Sequence, residues 1–180
     1  MNHTVFFTIG HSNRSLAEFV KLLTENAVQQ VVDVRKLPGS KRYPQFNADT
    51  LTEELSKHGI ELTRSAGLTG RRNVSKDIDF AVNAWWQNRS FHNYADHTLT
   101  SEFQQALTEL RDLGAEHATA IMCSEAVWWR CHRRIIADYL LANDHPVEHI
   151  MGPGQLMTAE LSDGAVPQSD GTVLYPAREG

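Results

Sequence analysis

Short apolar runs alternate with amphipathic stretches along this chain, which predicts strands followed by helices. Runs rich in β-branched and aromatic residues predict five strands, at 5–10, 30–34, 60–64, 118–123 and 147–151. Amphipathic stretches predict helices that begin after Ser15, whose capping box includes Glu18, and that cover 49–58, 100–113 and 130–142. Gly59 and Gly114 are expected to end the second and third of these helices.

This alternation predicts an α/β fold with three layers, in which a mostly parallel five-stranded sheet of order 3-2-1-4-5 has helices on both faces. We expect a single domain over 1–151 with a loop-rich insertion at 65–98, and a C-terminal tail or small hairpin over 152–180. Ligands of such sheets bind beyond the carboxyl ends of the strands, where the strand order reverses. That point is expected between the first and fourth strands.

Composition narrows the classes of partner. The chain has 17 Lys and Arg against 22 Asp and Glu, a net charge of −5, which makes long duplex nucleic acid an unlikely ligand but permits a local basic pocket. The first twelve residues lack the features of a signal peptide, and no apolar run approaches the roughly 18 residues that span a membrane. We therefore expect a cytoplasmic protein with no membrane partner and with reduced thiols.

Reactive and polar residues gather at the predicted carboxyl ends of the strands. His11 and Ser12 follow the first strand, Asp33 and Arg35 end the second, and Cys123 and Glu125 end the fourth. A thiol between a strand end and a helix amino terminus favours the thiolate, although a buried cysteine can also be a simple packing residue. Asp33 suits a general base, an orienter of an arginine or a cap of the following turn.

Cys131 and His132 allow more than one chemistry. Cys123, Cys131, His11 and His132 could together bind zinc or iron, although the spacing of the cysteines fits no common zinc knuckle. The two cysteines could instead form a redox pair, with Cys131 resolving a sulfenic acid on Cys123 if their Cα atoms lie within about 7 Å. Cys131 could also pack inward while His132 faces solvent.

Arginines and aromatic residues near the same edge indicate the type of ligand. Arg130, Arg133 and Arg134 lie near a predicted helix amino terminus, which suggests an anionic ligand or pairing with nearby carboxylates. Tyr43 and Tyr94 could contact the substrate, because aromatic side chains can stack on a nucleobase, but packing is their commoner role. No dinucleotide fingerprint or phosphate loop is present, which disfavours Rossmann cofactors and P-loop nucleotides.

Four segments resemble the bacterial and archaeal family catalogued as domain of unknown function 488, over about residues 5–151. They are TIGHSN, DVRKLPGS, YADH and IMCSEAVWWRCHRRIIADYL. The resemblance implies a compact α/β domain and a site that contains His11, Asp33, Arg35, Cys123, Glu125, Cys131, His132 and Arg133. It implies no activity. Family members usually have a proline between the glutamate and the second cysteine, where this chain has AVWW, so Trp128 and Trp129 are expected at the mouth of the site.

The interpretation that we favour is a thiol-dependent transferase or hydrolase that acts on a small anionic molecule, which could be phosphate-, carboxylate- or nucleotide-like. Its expected catalytic residues are Cys123, Cys131, His11, Asp33 and Glu125. Its expected substrate-binding residues are Ser12, Arg35, Tyr43, Tyr94, Arg130, His132 and Arg133. No cofactor is expected. The alternatives are the zinc or iron centre, the redox pair, and a ligand- or nucleic-acid-binding module without catalysis.

Overall fold

The computed structural model describes residues 5–39 and 41–178. Their strands are β1 (Phe6–Gly10), β2 (Gln30–Asp33), β3 (Glu61–Arg64), β4 (Thr119–Cys123), β5 (Val147–Gly152), β6 (Gln155–Thr158), β7 (Val166–Pro167) and β8 (Val173–Leu174). Their α-helices are α1 (Leu16–Glu25), α2 (Ala48–Ser56), α3 (Arg89–His97), α4 (Ser101–Glu116) and α5 (Arg133–Ala142). Parts of the predicted amino-terminal segment and tail, at 1–4 and 179–180, lie outside the described residues.

The central sheet has the order β3-β2-β4-β1-β5-β6. Strands β1 to β5 are parallel, and β6 pairs antiparallel with β5. Strands β7 and β8 form a separate antiparallel pair. The predicted three-layer α/β class with a mostly parallel sheet is confirmed.

The predicted order 3-2-1-4-5 and the predicted count of five strands are wrong. Strand β4 lies between β1 and β2, and β6 adds a sixth strand. All five residues of β4 are buried and none is charged, which suits a central position, but the strand–helix alternation does not specify which position a strand takes. The chain still leaves β1 toward β2 and β4 toward β5, so the order reverses between β1 and β4, where Gly10 lies opposite Cys123.

The two faces of the sheet pack against different helices. Ile9 and Met122 belong to the core beneath α1 and α2. Phe6, Ile121 and Cys123 belong to the core beneath α3, α4 and α5. Because successive side chains of a strand point to opposite faces, each strand end sends alternate residues to different sides of the sheet.

Two predicted helix boundaries are wrong. Helix α4 continues through Gly114 to Glu116. Gly114 does not end the helix but lets it pack against the Phe6 ring, which a Cβ atom at this position would overlap. Helix α5 begins at Arg133 and not at 130, because Trp128–Arg130 forms a 3-10 turn and His132 is the N-cap.

The insertion at 65–98 is more regular than the sequence predicts, because it contains α3 and the 3-10 turns Ala66–Leu68 and Phe80–Asn83. Residues of α3 hold the first turn by hydrogen bonds. The Tyr94 hydroxyl donates to the Leu68 carbonyl at 2.7 Å, and His97 Nε2 donates to the Gly67 carbonyl at 2.7 Å. The segment Ala66–Gly70 is thereby fixed beside the carboxyl edge of the sheet.

The segment after residue 152 packs on the domain. Residues 155–158 complete a hairpin with β5, and Val173 and Tyr175 are fully buried in the core beside α5. The Tyr175 hydroxyl donates to Asp138 Oδ2 at 2.8 Å, and the Ser162 amide donates to Asp138 Oδ1 at 2.9 Å. None of the described helices is long and apolar enough to cross a membrane.

Asp138 is expected to give the protein a measurable pH dependence of stability. Burial raises the pKa of its carboxyl from 3.8 to about 6, despite hydrogen bonds from Ser162 and Tyr175 that lower it. Between these pH values the folded carboxyl is protonated while the unfolded one is ionised, so its contribution to the free energy of unfolding falls as the pH rises. Asp138→Asn removes this contribution, and its stability relative to the wild type should increase by about 2–3 kcal/mol from pH 4 to pH 7 in denaturant unfolding.

The matched control is Asp112→Asn, which removes one negative charge from an exposed position on α4. A difference between Asp138→Asn and the wild type that is the same at both pH values would contradict the prediction.

Candidate active site

A cavity of about 320 Å³ opens at the carboxyl edge of the sheet, beside β4 and the start of α5. Its lining comes from the segments after β2 and β4, from the turn at 66–70 and from the start of α3. The lining residues are Arg35, Lys36, Leu37, Gly70, Arg71, Asn88, Ser90, Phe91, Tyr94, Cys123, Ser124, Glu125, Arg130, Cys131 and His132. The site therefore lies where the reversal of strand order places it.

The two cysteines lie in direct contact at the floor of this cavity. Cys123 ends β4, and Cys131 follows the 3-10 turn Trp128–Arg130, so it lies just before α5 and not in its first turn as predicted. Cys131 Sγ donates to Cys123 Sγ at 2.9 Å, and both thiols are free. Their side chains are almost fully buried, with exposed fractions of 3% for Cys123 and 6% for Cys131.

Arg133 contacts Cys123, and its side chain is completely buried. Its Nη1 donates to Cys123 Sγ at 2.6 Å and to the Glu125 carbonyl at 2.6 Å, and Nη2 donates to the Ala126 carbonyl at 3.3 Å. The predicted role of Arg133 was substrate binding. Its guanidinium instead donates hydrogen bonds to the Cys123 sulfur and to the loop that follows β4.

These contacts shift the pKa values of the two thiols in opposite directions. Burial raises the pKa of Cys123, but the hydrogen bond from Cys131 and the charge of Arg133 outweigh it and lower that pKa from 9.0 to about 7. Burial and the neighbouring Cys123 raise the pKa of Cys131 well above its ordinary value. Cys123 is thus the more acidic thiol of the pair, and Cys131 is its hydrogen-bond donor.

His132 contacts the pair from the side of the insertion. Its Nδ1 lies 3.6 Å from Cys131 Sγ, and its ring lies 4.7 Å from that of Tyr94. Burial lowers the pKa of His132 to about 4, so the imidazole is neutral near pH 7. Gly70 makes this position possible, because a Cβ atom there would lie 2.7 Å from His132 Nδ1.

Three cations line the cavity without a carboxylate partner among the described residues. They are Lys36, Arg71 and Arg130, all of them exposed. The sequence predicts a substrate-binding role for Arg130 but not for Arg71. Arg71 has the left-handed backbone conformation, with φ of 57°. The available signal was the pair of arginines that follows Gly70 in the insertion.

Asp33 and Arg35 form a buried ion pair. Arg35 Nε and Nη2 donate to the two oxygens of Asp33 at 2.9 and 2.8 Å, and Nη1 donates to the Phe46 carbonyl at 2.8 Å. Arg35 thus lines the cavity with a guanidinium whose nitrogens are already bonded. Of the roles considered for Asp33, this geometry matches the orienter of an arginine. The hydrogen bond that Asp33 Oδ1 accepts from the Arg35 backbone amide at 3.0 Å also matches the cap of the following turn.

His11 and Tyr43 belong to the opposite face of the sheet. The His11 ring stacks on Phe46 at 4.4 Å, its Nδ1 hydrogen bonds with the Ser12 carbonyl at 2.9 Å, and the Tyr43 ring lies 6.2 Å away. Neither these two residues nor Ser12 line the cavity. Burial also lowers the pKa of His11.

Glu125 and Trp128 differ in their relation to the site. Glu125 lines the cavity, and its backbone carbonyl accepts a hydrogen bond from Arg133 Nη1. Cys123 Sγ lies 3.6 Å from the same oxygen and can donate to it only in the thiol form. Trp128 stacks on His149 at 4.7 Å, and neither Trp128 nor Trp129 lines the cavity. The prediction that these two tryptophans lie at the mouth of the site is therefore wrong. His149 in turn hydrogen bonds with Thr8 at 2.6 Å.

The geometry of the thiols is that of a hydrogen-bonded pair. Two sulfurs bound to one tetrahedral zinc ion lie about 3.8 Å apart, from Zn–S bonds of about 2.3 Å. Here they are 2.9 Å apart, and the imidazole of His11 is on the other face of the sheet. Within 5–39 and 41–178, no group of three or more His, Cys, Asp and Glu side chains is arranged to hold a metal ion.

Comparison with known proteins identifies a family but no characterised relative. A family model described as Domain of unknown function DUF488 matches residues 15–140. The match includes Asp33, Arg35, Tyr94 and the segment Cys123–Arg133, whereas Gly10 and His11 precede it. No curated protein and no solved structure matches the chain.

The hydrogen bond from Cys131 is expected to set the acidity of Cys123. In the wild type, thiolate absorbance at 240 nm and the rate of iodoacetamide alkylation of Cys123 should both rise with a midpoint near pH 7. Cys131→Ala removes the donor and should raise the midpoint by about 1–2 pH units.

Cys131→Ser is the matched control, because its hydroxyl still donates and should keep the midpoint within about half a unit of the wild type. A wild-type midpoint near that of a free cysteine, at about 8.5, would contradict this account of the pair.

Proposed function

The chain belongs to the family described as Domain of unknown function DUF488, and we propose that it is an enzyme whose Cys123 thiolate attacks a small anionic substrate. The reaction is a thiol-dependent transfer or hydrolysis, and the substrate is phosphate-, carboxylate- or nucleotide-like. It takes place in the cytoplasm, where both thiols remain reduced.

One observation carries this proposal: Cys123 Sγ accepts hydrogen bonds from both Arg133 and Cys131 at the floor of a cavity. Two donors to one sulfur stabilise the thiolate, which is the nucleophilic form of cysteine. A cysteine that only filled space in the core would need neither a buried guanidinium nor access to a cavity.

The charge of the cavity supports an anionic substrate. Lys36, Arg71 and Arg130 line it without ion-pair partners among the described residues, although the whole chain has a net charge of −5. Surface cations that neutralise no protein carboxylate are available to a ligand, and a concentrated patch of one sign attracts ions of the other. The three cations line the same cavity as Cys123, so an anion bound by them shares that cavity with the nucleophile.

The loop after Cys123 argues against a phosphatase-like anion nest. Such a nest points backbone amides at the anion. In this loop the Glu125 and Ala126 carbonyls point at Arg133, and the intervening sequence SEAVWW contains no glycine. Side chains at the mouth, and not loop amides, therefore bind the substrate.

The size and walls of the cavity fit a small molecule. A volume of about 320 Å³ is at the lower end of the range for small-molecule sites. Phe91 and Tyr94 provide an aromatic wall, and Asn88 and Ser90 provide amide and hydroxyl groups at the start of α3. This combination suits a ligand that has one anionic group and an organic body.

A charge-selective alkylation tests the proposal without knowledge of the substrate. Iodoacetate is anionic and iodoacetamide is neutral, and both transfer a similar group to a thiolate. At low salt and pH 7, the ratio of the iodoacetate rate to the iodoacetamide rate at Cys123 should exceed that of 2-mercaptoethanol by about tenfold. Mass spectrometry of the fragmented protein locates the modified sulfur.

The variants Arg71→Ala and Arg130→Ala should each lower this ratio several-fold, whereas Lys21→Ala, which removes an exposed charge on α1, should not change it. Added salt should lower the wild-type ratio as well. If the ratio of the iodoacetate rate to the iodoacetamide rate equals that of 2-mercaptoethanol in the wild type and in every variant, the proposal is wrong.

A further inference from the structure

We infer that the second thiol takes part in the reaction: Cys123 attacks a small anionic disulfide, and Cys131 completes the reaction by forming a disulfide with Cys123. This inference rests on the proposed function, because it takes Cys123 as the nucleophile and the cationic cavity as the binding site. It adds the class of substrate and a catalytic role for Cys131.

The contact between the sulfurs is the first argument. A thiolate can be stabilised by any donor, and Arg133 already donates to Cys123 at 2.6 Å. The second donor is nevertheless a sulfur, 2.9 Å away, and the chain has no other cysteine. A disulfide has its sulfurs about 2.05 Å apart, so bond formation needs a movement of less than about 1 Å.

The difference between the two thiols sets the order of attack. Cys123 is held as the thiolate, while Cys131 keeps its proton. Cys123 therefore attacks one sulfur of the substrate, the sulfur–sulfur bond of the substrate breaks, and the first small thiolate leaves. The product is a mixed disulfide on Cys123, with Cys131 still protonated beside it.

Cys131 must lose its proton before it can attack the mixed disulfide. Once Cys123 is in the mixed disulfide, it no longer accepts the Cys131 proton as a thiolate. The small thiolate released in the first step takes this proton, because burial lowers the pKa of the neighbouring His132 to about 4 and makes its imidazole a poor acceptor for the proton of a thiol. The backbone amide of Arg133 donates to Cys131 Sγ at 3.4 Å and stabilises the thiolate that forms.

The second step then balances. The Cys131 thiolate attacks Cys123 Sγ, the bond between Cys123 Sγ and the substrate sulfur breaks, and the second small thiol leaves as its thiolate. Two electrons pass from the protein dithiol to the substrate disulfide, which becomes two small thiols. The protein returns to its starting state when an external dithiol reduces the Cys123–Cys131 disulfide.

Because the two sulfurs are buried, only a small substrate can reach them. Cys123 and Cys131 are 3% and 6% exposed and are reached through a cavity of about 320 Å³. A disulfide within a folded protein does not fit such a cavity, whereas a low-molecular-weight disulfide does. Lys36, Arg71 and Arg130 then favour a disulfide that bears carboxylates.

Three small disulfides of different charge test the inference. They are 3,3′-dithiodipropionate, which is anionic, bis(2-hydroxyethyl) disulfide, which is neutral, and cystamine, which is cationic. The reduced wild-type protein is mixed with each reagent, quenched with acid and analysed by intact mass and by the amount of small thiol released. We expect the anionic reagent to react at least about tenfold faster than the neutral one, and cystamine to be slowest.

The stoichiometry identifies the role of Cys131. The wild type should release two small thiols per chain and lose two hydrogens without retaining an adduct. Cys131→Ser should release one small thiol and keep a stable adduct on Cys123, while Cys123→Ser should not react. The wild-type masses alone show whether Cys131 resolves the mixed disulfide, so a variant that fails to fold does not affect this test.

The outcomes separate this inference from the function on which it rests. If Cys123 reacts with charge selectivity but the wild type retains the adduct, Cys131 does not resolve it and the inference is wrong, while the proposed nucleophile stands. If Cys123 shows neither charge selectivity nor a rate above that of a free thiol, both are wrong.

Discussion

A fully buried guanidinium determines how the carboxyl edge of the sheet is built. The Arg133 side chain is completely buried, and a buried cationic group requires a partner of opposite charge or several hydrogen bonds. No carboxylate pairs with it among the described residues, and its acceptors are Cys123 Sγ and the carbonyls of Glu125 and Ala126. Cys123 Sγ is therefore one of the three acceptors that compensate the burial of the Arg133 charge.

The same requirement explains the glycine that ends β1. Gly10 lies opposite Cys123, and a Cβ atom at Gly10 would overlap the Glu125 carbonyl and lie 2.9 Å from Arg133 Nη1. Only glycine lets the loop after β4 pass this close to the neighbouring strand. The segment TIGHSN thus supports the site through its backbone, while its histidine packs on the other face of the sheet.

Several residues near the site fix the backbone segments that line the cavity. Tyr94 and His97 hydrogen bond to the backbone of the turn at 67–68, and that turn leads to Gly70, against which His132 packs. On the opposite side, the ion pair of Asp33 and Arg35 orders the start of the segment that contributes Lys36. The thiol pair is rigidly surrounded, whereas the unpaired cations are exposed at the mouth.

The sequence by itself determined the five parallel strands, most of the helices, the three-layer class, and the edge of the sheet at which Cys123 and Cys131 lie. Periodicity and strand ends are local properties, so they can be read from neighbouring residues. The tertiary structure alone decided that β4 lies between β1 and β2, that Arg71 joins the cavity, and that His11 and Tyr43 do not. These facts depend on which face of a strand each side chain occupies and on which distant segments meet. Contacts between residues far apart in the chain fix both, and no local pattern records them.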